Sequence, residues 1–251
     1  MIRTLLIITG AGLVLCIAAL SGAAAIGGDG LARNGWEWNF RDDPERSETV
    51  TFKLNEVGPL VTRNLAWTGG DKLTIEIPAD VTYVQGETPS VVVTGPTPMV
   101  DRVNLIDGRL TWDRHDGPTH RVTFGWSNHD RLRVVITAPS VKRFDLESSA
   151  DLSIRDYDQP TFDLSVSGSG DVDAAGQTRT AMIDISGSGD SDLSALDTTD
   201  ASVETSGSGD VRVGPTGAAK INISGSGDVD LARRPASLSQ TISGSGDVRQ
   251  E

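Results

Sequence analysis

The pentapeptide Ser-Gly-Ser-Gly-Asp occurs five times in the last hundred residues, starting at Ser167, Ser186, Ser206, Ser224 and Ser243, at spacings of 19, 20, 18 and 19. A degenerate sixth copy, Glu147-Ser148-Ser149-Ala150-Asp151, begins 20 residues before the first. A period this short and regular describes a solenoid, whose units each stack only on their neighbours. Aligned on the motif, the repeats show aliphatic columns. Leu164, Ile183, Val203 and Ile221 stand three residues before it, and Val166, Ile185, Thr205, Ile223 and Ile242 one before. Val172, Ser191, Val211, Val229 and Val248 follow the Asp, with Ala174, Leu193, Val213 and Leu231 two further on. Polar columns alternate with these, the period of a strand with one face inside.

Each unit therefore reads as strand, Gly-Ser-Gly corner, strand and a variable loop such as 195–200 or 233–237. Stacked in parallel about 4.8 Å apart, the units form an all-β solenoid whose columns are buried only by stacking. The corner glycines are expected to supply positive φ, and Gly189→Val is expected to break its corner.

Upstream of the repeats, residues 49–146 contain short alternating segments such as Val50–Leu54, Lys72–Ile77, Ser90–Thr94 and Arg131–Thr137. Gly69-Gly70, Gly95-Pro96, Asp107-Gly108 and Asp116-Gly117-Pro118 punctuate them, predicting irregular β coils and no helix. Residues 26–48 read as a linker with an aromatic cluster at Trp36, Trp38 and Phe40, suited to a short strand or docking peptide. Residues 49–251 then make one solenoid domain, irregular over 49–146 and regular over 147–251.

Residues 1–25 combine Arg3, an apolar run and the small residues Ser21-Gly22-Ala23-Ala24-Ala25, the parts of a secretory signal peptide cleaved after Ala23 or Ala25. The alternative is an uncleaved anchor helix, because Leu5–Ile26 is long enough to cross a bilayer. Cys16 follows Leu15 rather than a small residue, which argues against lipidation. As the single Cys, it also excludes a disulfide framework.

The formal net charge is −13. Residues 147–251 carry 18 acidic and 7 basic side chains, against 17 and 15 in residues 1–146, so the acidity belongs to the repeats. Such a surface argues against nucleic acid as a partner. The motif aspartates Asp151, Asp171, Asp190, Asp210, Asp228 and Asp247 form a column in the stack. Neighbouring charges at strand spacing repel by about 1 kcal/mol in water. The favoured reading is that each faces water and accepts N–H bonds from its own corner. The lesser reading is Ca²⁺ held by Asp171, Asp190, Asp210, Asp228 and Asp247. A nine-residue calcium roll carries two such turns per coil, so half the ligands would be missing here.

His115, His120 and His129 fit no familiar metal-ligand spacing and read as solvated loop residues. Trp112, Phe124 and Trp126 read as core or capping aromatics. No nucleophile elbow, phosphate loop or His-centred acid/base group is present, so no catalytic residue and no cofactor is assigned. Paired carboxylates could cleave a glycosidic bond, but an Asp repeated in every coil looks architectural.

Three features together resemble the putative auto-transporter adhesin, head GIN domain family of bacterial envelope proteins. They are the repeated Ile-Ser-Gly-Ser-Gly-Asp-Val, the run Val91-Val92-Val93-Thr94-Gly95-Pro96 with Met99–Val103 and Asp107–Leu110, and Arg133–Pro139 leading into the repeats. The resemblance spans roughly residues 60–251. It implies a right-handed parallel β-helix outside the cytoplasm, whether in the periplasm, on the outer membrane surface or secreted, and it brings no catalytic residues. The expected function is a non-enzymatic, adhesin-like surface module whose ligand is a protein or polysaccharide. An envelope assembly role, with self-association through the open edge of the final coil, is the alternative, and a carbohydrate-active enzyme the third reading. Membrane contact enters only if the leader is retained.

Overall fold

The computed structural model describes residues 36–40, 48–52, 59–113 and 131–250. The leader, all three histidines, Phe124 and Trp126 lie outside the described residues. The chain divides into two compact units, one of residues 1–57 and 116–127, the other of residues 58–115 and 128–251. In the first, β1 (Trp36–Phe40) and β2 (Glu48–Phe52) pair antiparallel, Trp36 opposite Phe52. The aromatic segment is thus a strand, and residues 49–52 pair with it in a separate sheet from the solenoid.

The second unit is a parallel β-solenoid with an antiparallel start. Its strands are β3 (Leu60–Leu65), β4 (Lys72–Ile75), β5 (Asp80–Gln85), β6 (Ser90–Pro96), β7 (Val103–Ile106), β8 (Arg109–Trp112), β9 (Arg133–Ala138) and β10 (Arg143–Leu146). The repeats continue as β11 (Asp151–Val166), β12 (Val172–Ile185), β13 (Ser191–Thr205), β14 (Val211–Pro215), β15 (Ala218–Ile223), β16 (Val229–Leu231), β17 (Ser237–Ile242) and β18 (Val248–Gln250). One wall stacks β9, β5, the start of β11, of β12 and of β13, then β14, β16 and β18, all parallel. The other stacks β8, β4, β10, the ends of β11, β12 and β13, then β15 and β17. The motif turns the chain from the second wall to the first. At the start, β6 adds antiparallel to β9 and β3 antiparallel to β6, while β7 adds antiparallel to β8.

The aliphatic columns point inward as expected. Leu164, Ile183, Val203 and Ile221 are buried, as are Val172, Val211 and Val229. At the first coils the interior is wide and aromatic. Phe144 meets Tyr83, Tyr157 and Phe162 at ring-centroid distances of 5.2, 6.1 and 5.6 Å. The Tyr83 hydroxyl donates to Ala138 O at 2.8 Å and the Tyr157 hydroxyl to Thr161 O at 2.6 Å, so neither buried phenol lacks a partner. Burial pushes the Tyr83 phenol up to about 12.

Three details depart from the sequence reading. Residues 195–200, expected as a loop, are part of β13 and pair with β12 from Ala175↔Ala195 to Thr180↔Asp200, making a short third wall. A single helical turn, α1 (Thr97–Val100), interrupts the β structure; one turn is too short to show a helical period. The third concerns the motif glycines. Among the described residues, the glycines with positive φ are Gly108, in the Asp107-Gly108 hairpin turn between β7 and β8, and Gly176. None belongs to the motif. What the motif glycines supply is thinness: a Cβ on Gly189 would lie 2.0 Å from Gly170 O in the coil before, and one on Gly187 1.9 Å from Gly168 O. Backbone meets backbone at the corner, and no side chain fits between.

Candidate functional site: the aspartate ladder

Parallel register brings the predicted carboxylates into one column. Val172, Ser191, Val211, Val229 and Val248 are in register, so Asp171, Asp190, Asp210, Asp228 and Asp247 stack immediately before them. Asp151 stands above, and above it Asp80, directly opposite in β5. Sequence reasoning missed Asp80. Its signal was present, because Ala79-Asp80-Val81-Thr82 mirrors Ala150-Asp151-Leu152-Ser153, but 71 residues separate the two aspartates.

From Asp151 to Asp228, each carboxylate is engaged between coils. The Asp190 backbone N–H donates to Asp171 Oδ1 at 2.9 Å, Asp210 N–H to Asp190 Oδ1 at 2.9 Å, Asp228 N–H to Asp210 Oδ1 at 2.7 Å and Asp247 N–H to Asp228 Oδ1 at 2.8 Å. The first step, Asp171 N–H to Asp151 Oδ1, is longer at 3.4 Å. The expected capping role is therefore corrected in its partner: the donor is the next coil's Asp, not the Asp's own corner. The cause is geometric. At the corner the strand ladder breaks, and a carboxylate takes the place of the missing carbonyl for an N–H that would otherwise lack an acceptor. In return the residue after each Asp bonds the following coil's Asp carbonyl, as Val172 N–H does to Asp190 O at 2.9 Å. Each such charge-assisted bond offsets the like-charge repulsion between neighbouring carboxylates, which water largely screens at this exposed face.

Arginines close the ladder at both ends. Arg131 Nη1 reaches Asp80 Oδ1 at 3.0 Å and Asp151 Oδ2 at 2.7 Å. Arg249 Nη2 reaches Asp228 Oδ2 at 2.8 Å. The Asp247 N–H bond, with Arg249 adding to it, lowers the Asp228 carboxyl below the usual carboxylate range. Beside the ladder runs a second outward column, Asp173, Asp192, Arg212, Asp230 and Arg249, with alternating sign from Asp192 onward. Such cross-strand opposite charges favour the register. The Ser194 hydroxyl, donating at 2.6 Å, holds the Asp192 carboxyl below its ordinary range.

Serine hydroxyls complete the corner. Those of Ser167, Ser186, Ser224 and Ser243 reach back at 3.4–3.5 Å to the carbonyl ending the previous coil's strand. Ser169, Ser188, Ser208, Ser226 and Ser245 are exposed beside the aspartates. The result is a rigid polar ridge of hydroxyls and carboxylates. Among the described residues, no group of three or more His, Cys, Asp or Glu side chains is placed to hold a metal ion. Of the other singled-out residues, Trp112 is half-buried with the Arg102 guanidinium 5.7 Å from its ring centroid. It caps the first coils, as expected of an aromatic there.

Stacked coils with an internally bonded polar ridge define a repeat protein of the β-solenoid class. Residues 71–235, about two thirds of the sequence, match the family described as "Putative auto-transporter adhesin, head GIN domain", and the chain belongs to that family. A solved structure described as a putative adhesin from Bacteroides fragilis shares the fold, with a TM-score of 0.60 and 17% identity over 77% of this chain and 97% of that one. A putative adhesin from Parabacteroides merdae matches over the same shares, with 20% identity and a TM-score of 0.46. No curated protein matches the chain.

Proposed function

We propose that the protein is an exported, non-enzymatic β-solenoid that presents its acidic Ser/Asp ridge as a surface-interaction module of the bacterial envelope. The observation that carries this reading is the ladder itself. Its carboxylates accept hydrogen bonds from neighbouring coils, a structural employment that leaves no paired acid and base to divide between proton donor and nucleophile. The family membership supports an adhesin-like role, and the signal-like leader supports a place outside the cytoplasm. A rigid, periodic ridge suits a repetitive partner, a polysaccharide or an extended protein segment, because binding it costs little ordering of the protein.

Cell fractionation is expected to recover the protein outside the cytoplasm, and recovery in the cytosol refutes the export. A glycan and envelope-protein binding screen, run with Ca²⁺ and with chelator, is expected to give the same hits in both arms. Strictly Ca²⁺-dependent binding would return the carboxylates to a metal-binding role. Polysaccharide turnover abolished by Asp190→Asn would show an enzyme instead.

A further inference from the structure

A groove of about 310 Å³ opens on the outer face of the second wall, lined by residues of β12, β13, β15 and β17. The small residues Ala201, Ala218 and Ala219 line it, and Ala201 and Ala219 are buried. It forms where the third wall gives way to the second. The outward column Thr161, Thr180, Asp200 loses its longer side chains at Ala218, whose N–H donates to Asp200 Oδ1 at 2.7 Å. The segments of β13 and β15 that hold these residues are each paired on both sides, so the groove belongs to the outer face and does not depend on a strand edge.

Two side chains of opposite charge line this groove. Asp200 Oδ2 has no partner among the described residues, because the bond from Ala218 engages the other oxygen. Lys220 is exposed and forms no ion pair among them. It stands in register with Ser202, two residues on from Asp200, so strand and residue spacing set the two about 8 Å apart. The hydroxyls of Thr180, Ser202 and Ser239 also line the groove and bond no other described protein group. This set selects its ligand. Carboxylate and ammonium cancel, so neither an anion nor a cation is favoured. A neutral ligand with adjacent hydroxyls matches both, since a hydroxyl donates to a carboxylate and accepts from an ammonium. The alanine methyls suit the C–H face of a sugar ring. An extended peptide would need free backbone to pair with, and the backbone here is already bonded on both sides. The volume lies at the low end of small-molecule sites, with room for roughly one or two sugar units.

We propose that this groove binds a neutral hexose unit of a glycan, with Asp200 accepting from one hydroxyl and Lys220 donating to its neighbour. The site is separate from the acidic ridge. The ridge follows the corner that leaves the second wall after Thr205, whereas Asp200 stands where that wall begins. One sugar unit makes few contacts, so binding is weak and exchanges rapidly. The inference goes beyond the ridge as a surface module by adding a second site of defined chemistry, and neither depends on the other.

Amide NMR titration of the full chain with maltotriose, cellotriose and mannotriose, carried into the millimolar range, tests it. At least one of these neutral sugars is expected to shift the amides of Ala201, Ala218 and Ala219 saturably, while trigalacturonic acid and a Gly-Ser hexapeptide do not. Lys220→Met is expected to weaken that binding about tenfold, with its melting temperature at the wild-type value because the side chain is exposed and unpaired. Asp200→Asn keeps an acceptor for the Ala218 N–H and is expected to weaken binding at least threefold. Failure of all three sugars to shift these amides, tighter binding of the acid or the peptide, or unchanged affinity in either variant overturns the proposal. Shifts confined to the motif corners also overturn it, but they would place the glycan on the ridge, so the two readings fail separately.

Discussion

Gly189→Ala isolates what the repeated corner demands. The added Cβ lies 2.0 Å from Gly170 O, where ordinary contact begins at 3.4 Å, and its neighbour is backbone that no rotamer change can move. The coils that carry Gly170 and Gly189 must therefore part locally by roughly an ångström, given how little close-packed interiors yield. Of the bonds that cross that joint, two flank Gly189 directly: Ser188 N–H to Gly168 O at 3.0 Å and Asp190 N–H to Asp171 Oδ1 at 2.9 Å. Losing one neutral and one charge-assisted bond costs about 2.5–4 kcal/mol. For a domain of this size that lowers Tm by about 5–16 °C. Thermal denaturation followed by circular dichroism measures it, with Gly70→Ala as control, since nothing lies within 4 Å of a Cβ there. Gly189→Asn separates two explanations. Asn tolerates positive φ, so a requirement for that conformation would let Asn partly restore stability, whereas a steric requirement makes it at least as damaging as Ala. Gly189→Ala melting within 2 °C of wild type, or clear rescue by Asn, would refute the close-approach account.

Further outcomes follow from the ladder and the core. Asp190→Ala is expected to lower stability by about 1–3 kcal/mol in urea titration, because Asp210 N–H loses its acceptor, whereas Asp190→Asn keeps an acceptor oxygen and should stay within about 0.5 kcal/mol; equal losses for the two would refute the acceptor role. The buried hydroxyl of Thr205 has no hydrogen-bond partner, so the near-isosteric Thr205→Val is expected to stabilise by about 1–2 kcal/mol, and a destabilised variant would reveal a partner. Asp192 and Asp228 have folded pKa values below the ordinary Asp value, so their contribution is complete above about pH 4 and is lost as pH falls through the lowered values. The Tm of wild type should thus fall below about pH 4, and Asp228→Asn should show a shallower acid limb; an identical limb would count against a folded-state role for that carboxylate.

The repeat made the stack, its inward columns and the Asp column readable, because period-two burial and the motif spacing are local properties of the chain. What stayed hidden depended on contacts between coils. The partner of each ladder carboxylate is an amide 18–20 residues away, which no corner examined alone contains. The motif glycines show the same limit: their φ values are unexceptional, and the need for Gly comes from a carbonyl in the neighbouring coil. Asp80 could be matched by its own Ala-Asp-Val-Thr, yet the segments between β5 and β11 disguised it as unrelated to the repeat. Residues 195–200 carry no Gly or Pro but include Asp197 and Asp200, which suit turns, and only their pairing shows that the strand continues through them.

The register of β5 against β11 gives the stack one unusual joint. In the repeats a residue meets its neighbour 17–20 positions along the chain, but Asp80 meets Asp151 across 71. Closing the longer span costs about 1 kcal/mol more chain entropy. The aromatic group of Tyr83, Phe144, Tyr157 and Phe162 straddles that joint and supplies burial to offset the cost. The regular coils are therefore expected to form from short-range contacts first, with the upstream strands joining across the β5–β11 seam. Amide exchange is expected to show the two halves opening at this seam, with the Asp80–Asp151 rung exchanging before the interior rungs of β12 and β13, and uniform protection across both would speak against a separable joint.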